Sequence, residues 1–267
     1  MRRDERVTLV DRRALSPDAS LLCFRSNFLA SNMLPGQFTM VRLPQAEGLL
    51  LRRPYSFCDA EPASPACPDG GRFSLLVKEV GRGTRALARL AEGEQVDCLG
   101  PLGSTFSMPA RNRRPVIVAG GVGIAPFVAF CRALRGLDRK ATVLLGGRSE
   151  HDLYLREEFD ALGMDVVCTT EDGSFGEKAR VTALVDDALD GEVQLYSCGP
   201  TPMLVKVAAA ARARGVPHQV SLERRMGCGM GCCLGCVVYT SEYVRCCTEG
   251  PVFDADTIRW ERDVNPL

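Results

Sequence analysis

Cys228, Cys232, Cys233, Cys236, Cys246 and Cys247 crowd one short glycine-rich segment, whereas the other seven cysteines are scattered from Cys23 to Cys198. Scattered cysteines behave mostly as small buried hydrophobes, and clustered ones in a reducing compartment bind metal. Cys228, Cys233 and Cys236 read as C-x4-C-x2-C with a more distant fourth cysteine, the spacing of a plant-type [2Fe–2S] site. Gly227, Gly229, Gly231 and Gly235 let such a loop wrap one edge of a cluster with its backbone N–H groups aimed at sulfur. Zinc is the competing reading, but zinc ligands come as two separated pairs, without this density of glycine. Six cysteines exceed the four ligands required. Spacing leaves Cys232 open beside Cys233, and Cys246 open beside Cys247.

Four further constellations have the chemistry to bind anions. Gly120-Gly121-Val122-Gly123-Ile124-Ala125-Pro126 follows an apolar strand and opens a helix, where free N–H groups and the helix dipole attract a pyrophosphate. It departs from the usual G-x-G-x-x-G, and glycine turns of this kind also serve packing. Cys198-Gly199-Pro200 with Met203 is a second strand end leading into a helix in the same block. Arg53-Pro54-Tyr55-Ser56 offers a guanidinium for phosphate and a ring to stack on a flat ligand, although a polar turn between strands would look the same. Gly81-Arg82-Gly83-Thr84 heads a short helix and is the fourth.

The elements that must position these groups fall into three blocks. Up to about residue 108 the chain is strand-rich: VTLVDRRAL, LLCFRSNFL, QFTMVRL, FSLLVKEV and EQVDCLGPL are short apolar or alternating runs separated by turn residues, as in a barrel or sandwich. LPGQF is a turn and EPASPACPDGG an exposed loop. From about 112 to 217 buried strands alternate with helical patterns, which implies a parallel sheet covered by helices. Residues 221–267 carry little periodicity, so their order is expected to come from the cluster itself. MRRDERVTLV reads as a first strand rather than a signal peptide. Hydrophobic content is 46%, charged content 25% and formal net charge zero. Those values fit a globular chain and give no support for a nucleic-acid partner. No apolar run is long enough to span a bilayer.

In order along the chain, these motifs resemble the ferredoxin-reductase superfamily, in which a β-barrel binds flavin and an α/β domain binds nicotinamide. More closely, the chain is similar to the electron-transfer subunits of NAD-dependent (class 1B) dihydroorotate dehydrogenases. The tail Ser221-Leu222-Glu223, Met226, Cys228-Gly-x-Gly-x-Cys233-x-x-Cys236 and Cys247-x-x-Gly250-Pro251-Val252-Phe253 carries that resemblance, as does Glu171-Asp172-Gly173-Ser174-Phe175-Gly176. The resemblance implies Cys228, Cys233, Cys236 and Cys247 as cluster ligands, choosing Cys233 over Cys232 and Cys247 over Cys246. Cys232 stands where the family commonly has a small residue, and Tyr55 where it often has an aliphatic one. The resemblance further implies an FAD-binding β-barrel domain over 1–110, an NAD(P)-binding α/β parallel-sheet domain over 111–219 and a small [2Fe–2S] domain over 220–267. Arg53, Pro54, Tyr55, Ser56, Leu76, Val77, Lys78, Gly83 and Thr84 are then expected at FAD. Gly120, Gly121, Gly123, Cys198, Gly199 and Pro200 are expected at NAD.

The chemistry is consistent with that set of cofactors. A nicotinamide gives or takes an electron pair as hydride and an iron–sulfur cluster handles single electrons, so a flavin between them is required in either direction of flow. The implied partner is an FMN-containing dihydroorotate dehydrogenase catalytic subunit, in a cytoplasmic heterotetramer of two of each, serving pyrimidine biosynthesis. No catalytic acid or base is expected in this chain, and His151 and His218 read as ordinary surface or loop residues. Two alternatives remain: a related FAD and iron–sulfur NAD(P)H reductase subunit of the ferredoxin:NADP+ transhydrogenase, hydrogenase or sulfide dehydrogenase type, and a zinc-stabilised interaction module without redox chemistry. The visible spectrum and metal content of the purified protein separate the last from the others, since a colourless zinc protein would end the redox reading.

Overall fold

Residues 1–65 and 68–262 are described in a computed structural model, so Cys67 and part of the EPASPACPDGG loop lie outside the described residues. Strands β1 (Arg3–Ser16), β2 (Ala19–Arg25), β3 (Phe38–Arg42), β4 (Arg53–Glu61), β5 (Arg72–Lys78) and β6 (Gln95–Leu102) close an antiparallel barrel in the order β1-β2-β5-β4-β3-β6. Alternating apolar side chains fill it: Val7 and Leu9, Leu22 and Phe24, Phe73, Leu75 and Val77, and Val96 and Cys98 all point inward. Helix α1 (Asn27–Asn32) follows β2, and α2 (Arg82–Ala88) follows β5. The first three residues of α1, Asn27 to Leu29, lie within the LLCFRSNFL run that reads as strand. The hydroxyl of Ser26 accepts from the Leu29 N–H at 2.9 Å and turns the chain into a helix there.

Parallel strands β7 (Arg114–Gly120), β8 (Thr142–Gly147), β9 (Asp165–Thr170), β10 (Glu177–Lys178), β11 (Val193–Cys198) and β12 (His218–Ser221) form the second body, in the order β10-β9-β8-β7-β11-β12. On β7, Ile117 and Ala119 face one core with Phe127 and Phe130 of helix α3 (Phe127–Gly136), and Val116 and Val118 face the other with Val207 of α6 (Thr201–Ala213). Both faces are therefore covered, as a parallel sheet requires. The helices between β8 and β11 are shorter than the apolar patterns suggest: α4 (Arg156–Ala161) and α5 (Val185–Ala188) are single turns preceded by 3₁₀ segments. Beyond β12 come the hairpin β13 (Val237–Tyr239) and β14 (Tyr243–Arg245), then β15 (Val252–Asp254). β15 pairs antiparallel with β12, placing the tail on the edge of the same sheet. Val238, Cys246, Cys247, Ala255 and Ile258 share a core with Phe38, Met40 and Leu102 of the barrel. Besides the expected cluster, strand pairing and a shared apolar core also anchor the tail, signals that a short aperiodic sequence does not display.

Ion pairs and apolar packing join the two bodies. Arg13 pairs with Glu158, and Arg132 with Asp59. Lys78 Nζ donates to Asp152 Oδ1 at 2.5 Å, and the same carboxylate accepts from Tyr154 Oη at 3.1 Å and the Arg148 N–H at 3.2 Å. Burial opposes the charge on Asp152, but the hydrogen bonds from Lys78 and Arg148 outweigh it and hold the carboxyl down at about 2. Its contribution to stability is therefore present above the unfolded value of about 3.9 and lost as pH falls toward the folded value. Asp152→Asn is expected to destabilise the protein by about 2 kcal/mol at neutral pH. In thermal unfolding, the gap from wild type should hold steady down to about pH 4 and narrow below it. A gap unchanged across that acidic range would contradict this account.

Candidate functional site

β4 and β5 pair from Phe57/Leu75 to Glu61/Arg72 and then part. Residues 53–56 continue on β3 alone, with Thr39 opposite Tyr55 and Met40 opposite Pro54. Leu76, Val77 and Lys78 continue on β2 alone. The barrel wall therefore splays between Arg53–Ser56 and Leu76–Lys78, and two strand edges turn their backbone groups toward one cleft. Proline is tolerated at position 54 because one edge of its strand is unpaired. Arg53 reaches across to α2, where a Cβ on Gly83 would collide with its guanidinium. The Thr84 hydroxyl accepts from the Val80 and Gly81 N–H groups at 2.8 and 2.9 Å, fixing that turn. Tyr55 Oη is buried and has no hydrogen-bond partner among the described residues, and burial pushes its phenol up to about 12 against the pull of Arg53. A cation beside a glycine that only a hydrogen can occupy, two open strand edges and an orphaned hydroxyl together fit a flat ring carrying a diphosphate. The Val77 side chain lies in the barrel core, so that residue presents backbone only.

A cavity of about 740 Å³ runs along the carboxyl ends of the parallel strands. Gly120, Gly121, Gly199 and Pro200 line it, with Gly147 and Glu171 toward one side and Glu223 toward the other. It lies at the switch point where strand order reverses between β7 and β11. The three glycines of the β7 turn have different tasks. Gly121 has φ +54° and open space around it. Gly120 is pressed against Met203 and Pro200, and a Cβ on Gly123 would collide with the Cys198 carbonyl. Gly123 thus lets two chain segments meet. The Cys198 thiol is buried behind the cavity wall, its ionisation opposed first by burial and then by Glu223. Burial likewise raises Glu223 above the ordinary carboxylate range.

The tail cysteines separate into three situations. Cys246 is fully buried in the apolar core, with its Sγ 3.5 Å from the Leu222 carbonyl. Cys232 is exposed. Cys228, Cys233, Cys236 and Cys247 form two contacting pairs, Cys228 with Cys233 and Cys236 with Cys247. Backbone N–H groups point at these sulfurs: Met230 and Cys232 donate to Cys228 at 3.4 and 3.3 Å, and Gly231 to Cys247 at 3.2 Å. Burial opposes the Cys228 thiolate, yet those donors together with Cys233 bring its thiol down to about 6, while burial and then Cys236 push Cys247 up to about 12. Two thiol pairs, one for each iron, fit a two-iron cluster better than one tetrahedral zinc.

The loop sits against the barrel. Gly229 has φ +71°, and a Cβ there would collide with Met40, the residue paired with Pro54. The thiol pairs and the splayed wall are thus one strand apart. His218, read as a surface or loop residue, is instead buried in β12 with Nε2 2.7 Å from Ser197 Oγ. The sequence reading also passed over Asp152, whose role depends on a barrel lysine 74 residues away.

Three family descriptions match in succession: the oxidoreductase FAD-binding domain over residues 6–106, the oxidoreductase NAD-binding domain over 117–209, and the iron–sulfur cluster binding domain of dihydroorotate dehydrogenase B over 223–259. The dihydroorotate dehydrogenase B (NAD(+)) electron transfer subunit of Shouchella clausii (strain KSM-K16) is 36% identical over 256 residues, covering 93% of this chain and 95% of that one. That of Geobacillus thermodenitrificans (strain NG80-2) is 34% identical over 261 residues, covering 95% and 98%. Among solved structures, the NADH-dependent reduced ferredoxin-NADP oxidoreductase superposes with a TM-score of 0.84 at 30% identity, covering 97% of this chain and 91% of that one. The ferredoxin reductase of carbazole 1,9a-dioxygenase gives 0.69 at 27%, covering 81% and 67%.

The glycine geometry separates packing from ligand contact. Gly123→Ala should lower stability by about 3 kcal/mol through the clash with the Cys198 carbonyl, whereas Gly121→Ala should lose only about 1 kcal/mol of backbone strain. Equal losses in thermal unfolding would show that both positions are conformational only.

Proposed function

The chain belongs to the family of dihydroorotate dehydrogenase B electron transfer subunits, and from that premise we propose that it carries electrons between an FMN-bearing catalytic subunit and NAD+ in pyrimidine biosynthesis. The observation that supports this reading most directly is the seat of Gly229 on Met40, which brings the four-thiol loop within one strand of the splayed barrel wall. When bound, FAD supplies the step between hydride chemistry and single-electron chemistry that neither NAD nor a [2Fe–2S] cluster can supply alone.

The chain's own residues then bind, orient and shield. Arg53, Gly83 and Thr84 hold the FAD diphosphate. Pro54, Tyr55 and Ser56 line one side of the flavin, and the backbone of Leu76, Val77 and Lys78 lines the other. Gly120, Gly121, Gly199 and Pro200 admit the nicotinamide dinucleotide, with Gly123 and Cys198 supporting that floor from beneath. Cys228, Cys233, Cys236 and Cys247 hold the cluster. The partner docks over the cluster loop, where Met230, Leu234 and Tyr243 are exposed apolar residues and Leu234 is held at φ +55°. A heterotetramer of two of each subunit, located in the cytoplasm, completes the proposal. Among the described residues, no helix is long and apolar enough to cross a membrane.

The likeness to the NADH-dependent reduced ferredoxin-NADP oxidoreductase supports a second reading, a reductase subunit with an iron–sulfur-rich partner. Affinity purification from the native host separates the two. Co-purification of an FMN protein with NAD-linked dihydroorotate oxidation supports the first, and an iron–sulfur-rich partner without that activity overturns it. Within the subunit, Cys236→Ser should bleach the cluster absorbance and abolish transfer to the partner, leaving FAD content and NADH-dependent dye reduction intact. Cys246→Ser should retain the cluster. Loss of the cluster from Cys246→Ser, with Cys236→Ser unaffected, would refute the ligand assignment.

A further inference from the structure

The cavity at the strand ends has a direction. Its lining passes from Glu223 beyond β12, through Gly199 of β11 and Gly120 of β7, to Gly147 of β8 and Glu171 of β9. Four strand spacings make that path about 19 Å long, which suits an extended dinucleotide. Its β12 end adjoins the segment that leads into the cluster loop, and that loop packs on the barrel beside the splayed wall. The redox-active ring therefore belongs at the β12 end and the adenosine at the β9 end.

The β9 end is built from two arginine–carboxylate pairs. Arg148 Nε lies 3.2 Å from Asp152 Oδ2, and Arg180 Nε lies 3.4 Å from Glu171 Oε2. Backbone bonds hold these groups in place. Glu171 N–H donates to the Gly147 carbonyl at 3.1 Å and Asp172 N–H to that of Arg148 at 3.1 Å, sewing the two strand ends together. Ala179 N–H donates to the Thr170 carbonyl at 3.2 Å and brings Arg180 alongside. Asp152 is already committed to Lys78 and Tyr154. Among the described residues Glu171 pairs with Arg180 and faces the cavity with the rest of its acceptor capacity.

The geometry points to Glu171 as the residue that makes this site take NAD(H) in preference to NADP(H), an inference that rests on the reading of the cavity as the nicotinamide dinucleotide site. A carboxylate accepts a hydrogen bond from a ribose hydroxyl and repels a 2′-phosphate. Glu171 does a second thing: it occupies Arg180, a guanidinium on the same rim with the chemistry to grip that phosphate. Discrimination then comes from Glu171 itself, as a negative charge on the rim and as the partner that occupies Arg180.

The test uses the cofactor-loaded protein and dye reduction with NADH or NADPH. Wild type should favour NADH in kcat/KM. Glu171→Gln should reduce that preference at least tenfold, through a higher KM for NADH together with a lower KM for NADPH. Adding Arg180→Ala to Glu171→Gln should reverse the gain with NADPH. A preference within twofold of wild type in Glu171→Gln, or a gain that persists without Arg180, would overturn the assignment. A wild type that turns over NADPH better than NADH would also overturn it. Absence of NADH-dependent dye reduction in the loaded wild type would instead remove the reading of the cavity itself.

Discussion

The rest of the molecule depends on one close contact. Gly229 meets Met40 with no room for a side chain between them, and Met40 is paired with Pro54 on the strand that forms the open wall. Single-electron exchange needs short distances, and this contact fixes one by seating the loop backbone on the fully buried Met40 side chain. It also explains why two bodies and a tail must share structure. The tail reaches the barrel only because β12 and β15 deliver it to the side of the sheet that the barrel faces. The Lys78–Asp152 and Arg132–Asp59 pairs and the Phe106–Phe127 stack at 5.1 Å keep the barrel and sheet in the relation that delivery requires.

Interrupted pairing is the second constraint. A closed barrel satisfies its own backbone groups and leaves nothing for a ligand. Here β4 and β5 pair for part of their length and then part, so closure is kept by Phe57–Glu61 against Arg72–Leu75 while the seam beyond stays open. The parallel sheet reaches the same result differently, by ending its strands in glycine turns where order reverses. Both sites are therefore places where a regular hydrogen-bonding pattern stops, on opposite sides of one interface.

What the sequence showed and what it hid divide along the range of the interactions. Alternation in FSLLVKEV, apolar strands before glycine in PVIVAGG and the cysteine spacing are local, and each matched an element. The helix at Asn27–Asn32 was hidden because a capping serine decides it, and Ser-Asn-Phe-Leu reads equally well as strand. Arg53–Ser56 looked like a turn because proline argues against a strand, and only the missing β5 neighbour makes proline acceptable. Gly123 looked like a phosphate glycine, although the carbonyl that demands it lies 75 residues away at Cys198. Spacing could not choose between Cys246 and Cys247; both are buried in one core, with Cys246 against the Leu222 carbonyl and Cys247 accepting from the Gly231 N–H of the loop. The edge strand β15 and the Glu171–Arg180 pair depend on tertiary placement, which no window of sequence contains.

The attachment of the cysteine segment at both ends bears on how the protein is assembled. The excursion from Leu222 to Pro251 leaves from one strand and returns onto its antiparallel neighbour, and the Leu222 N–H is hydrogen-bonded to the Pro251 carbonyl at 2.9 Å. A loop whose ends are already joined has lost most of its closure entropy before any metal arrives. Holding a cluster between the thiol pairs then costs little further chain entropy, because the strand pairing that joins the two ends acts as a clasp.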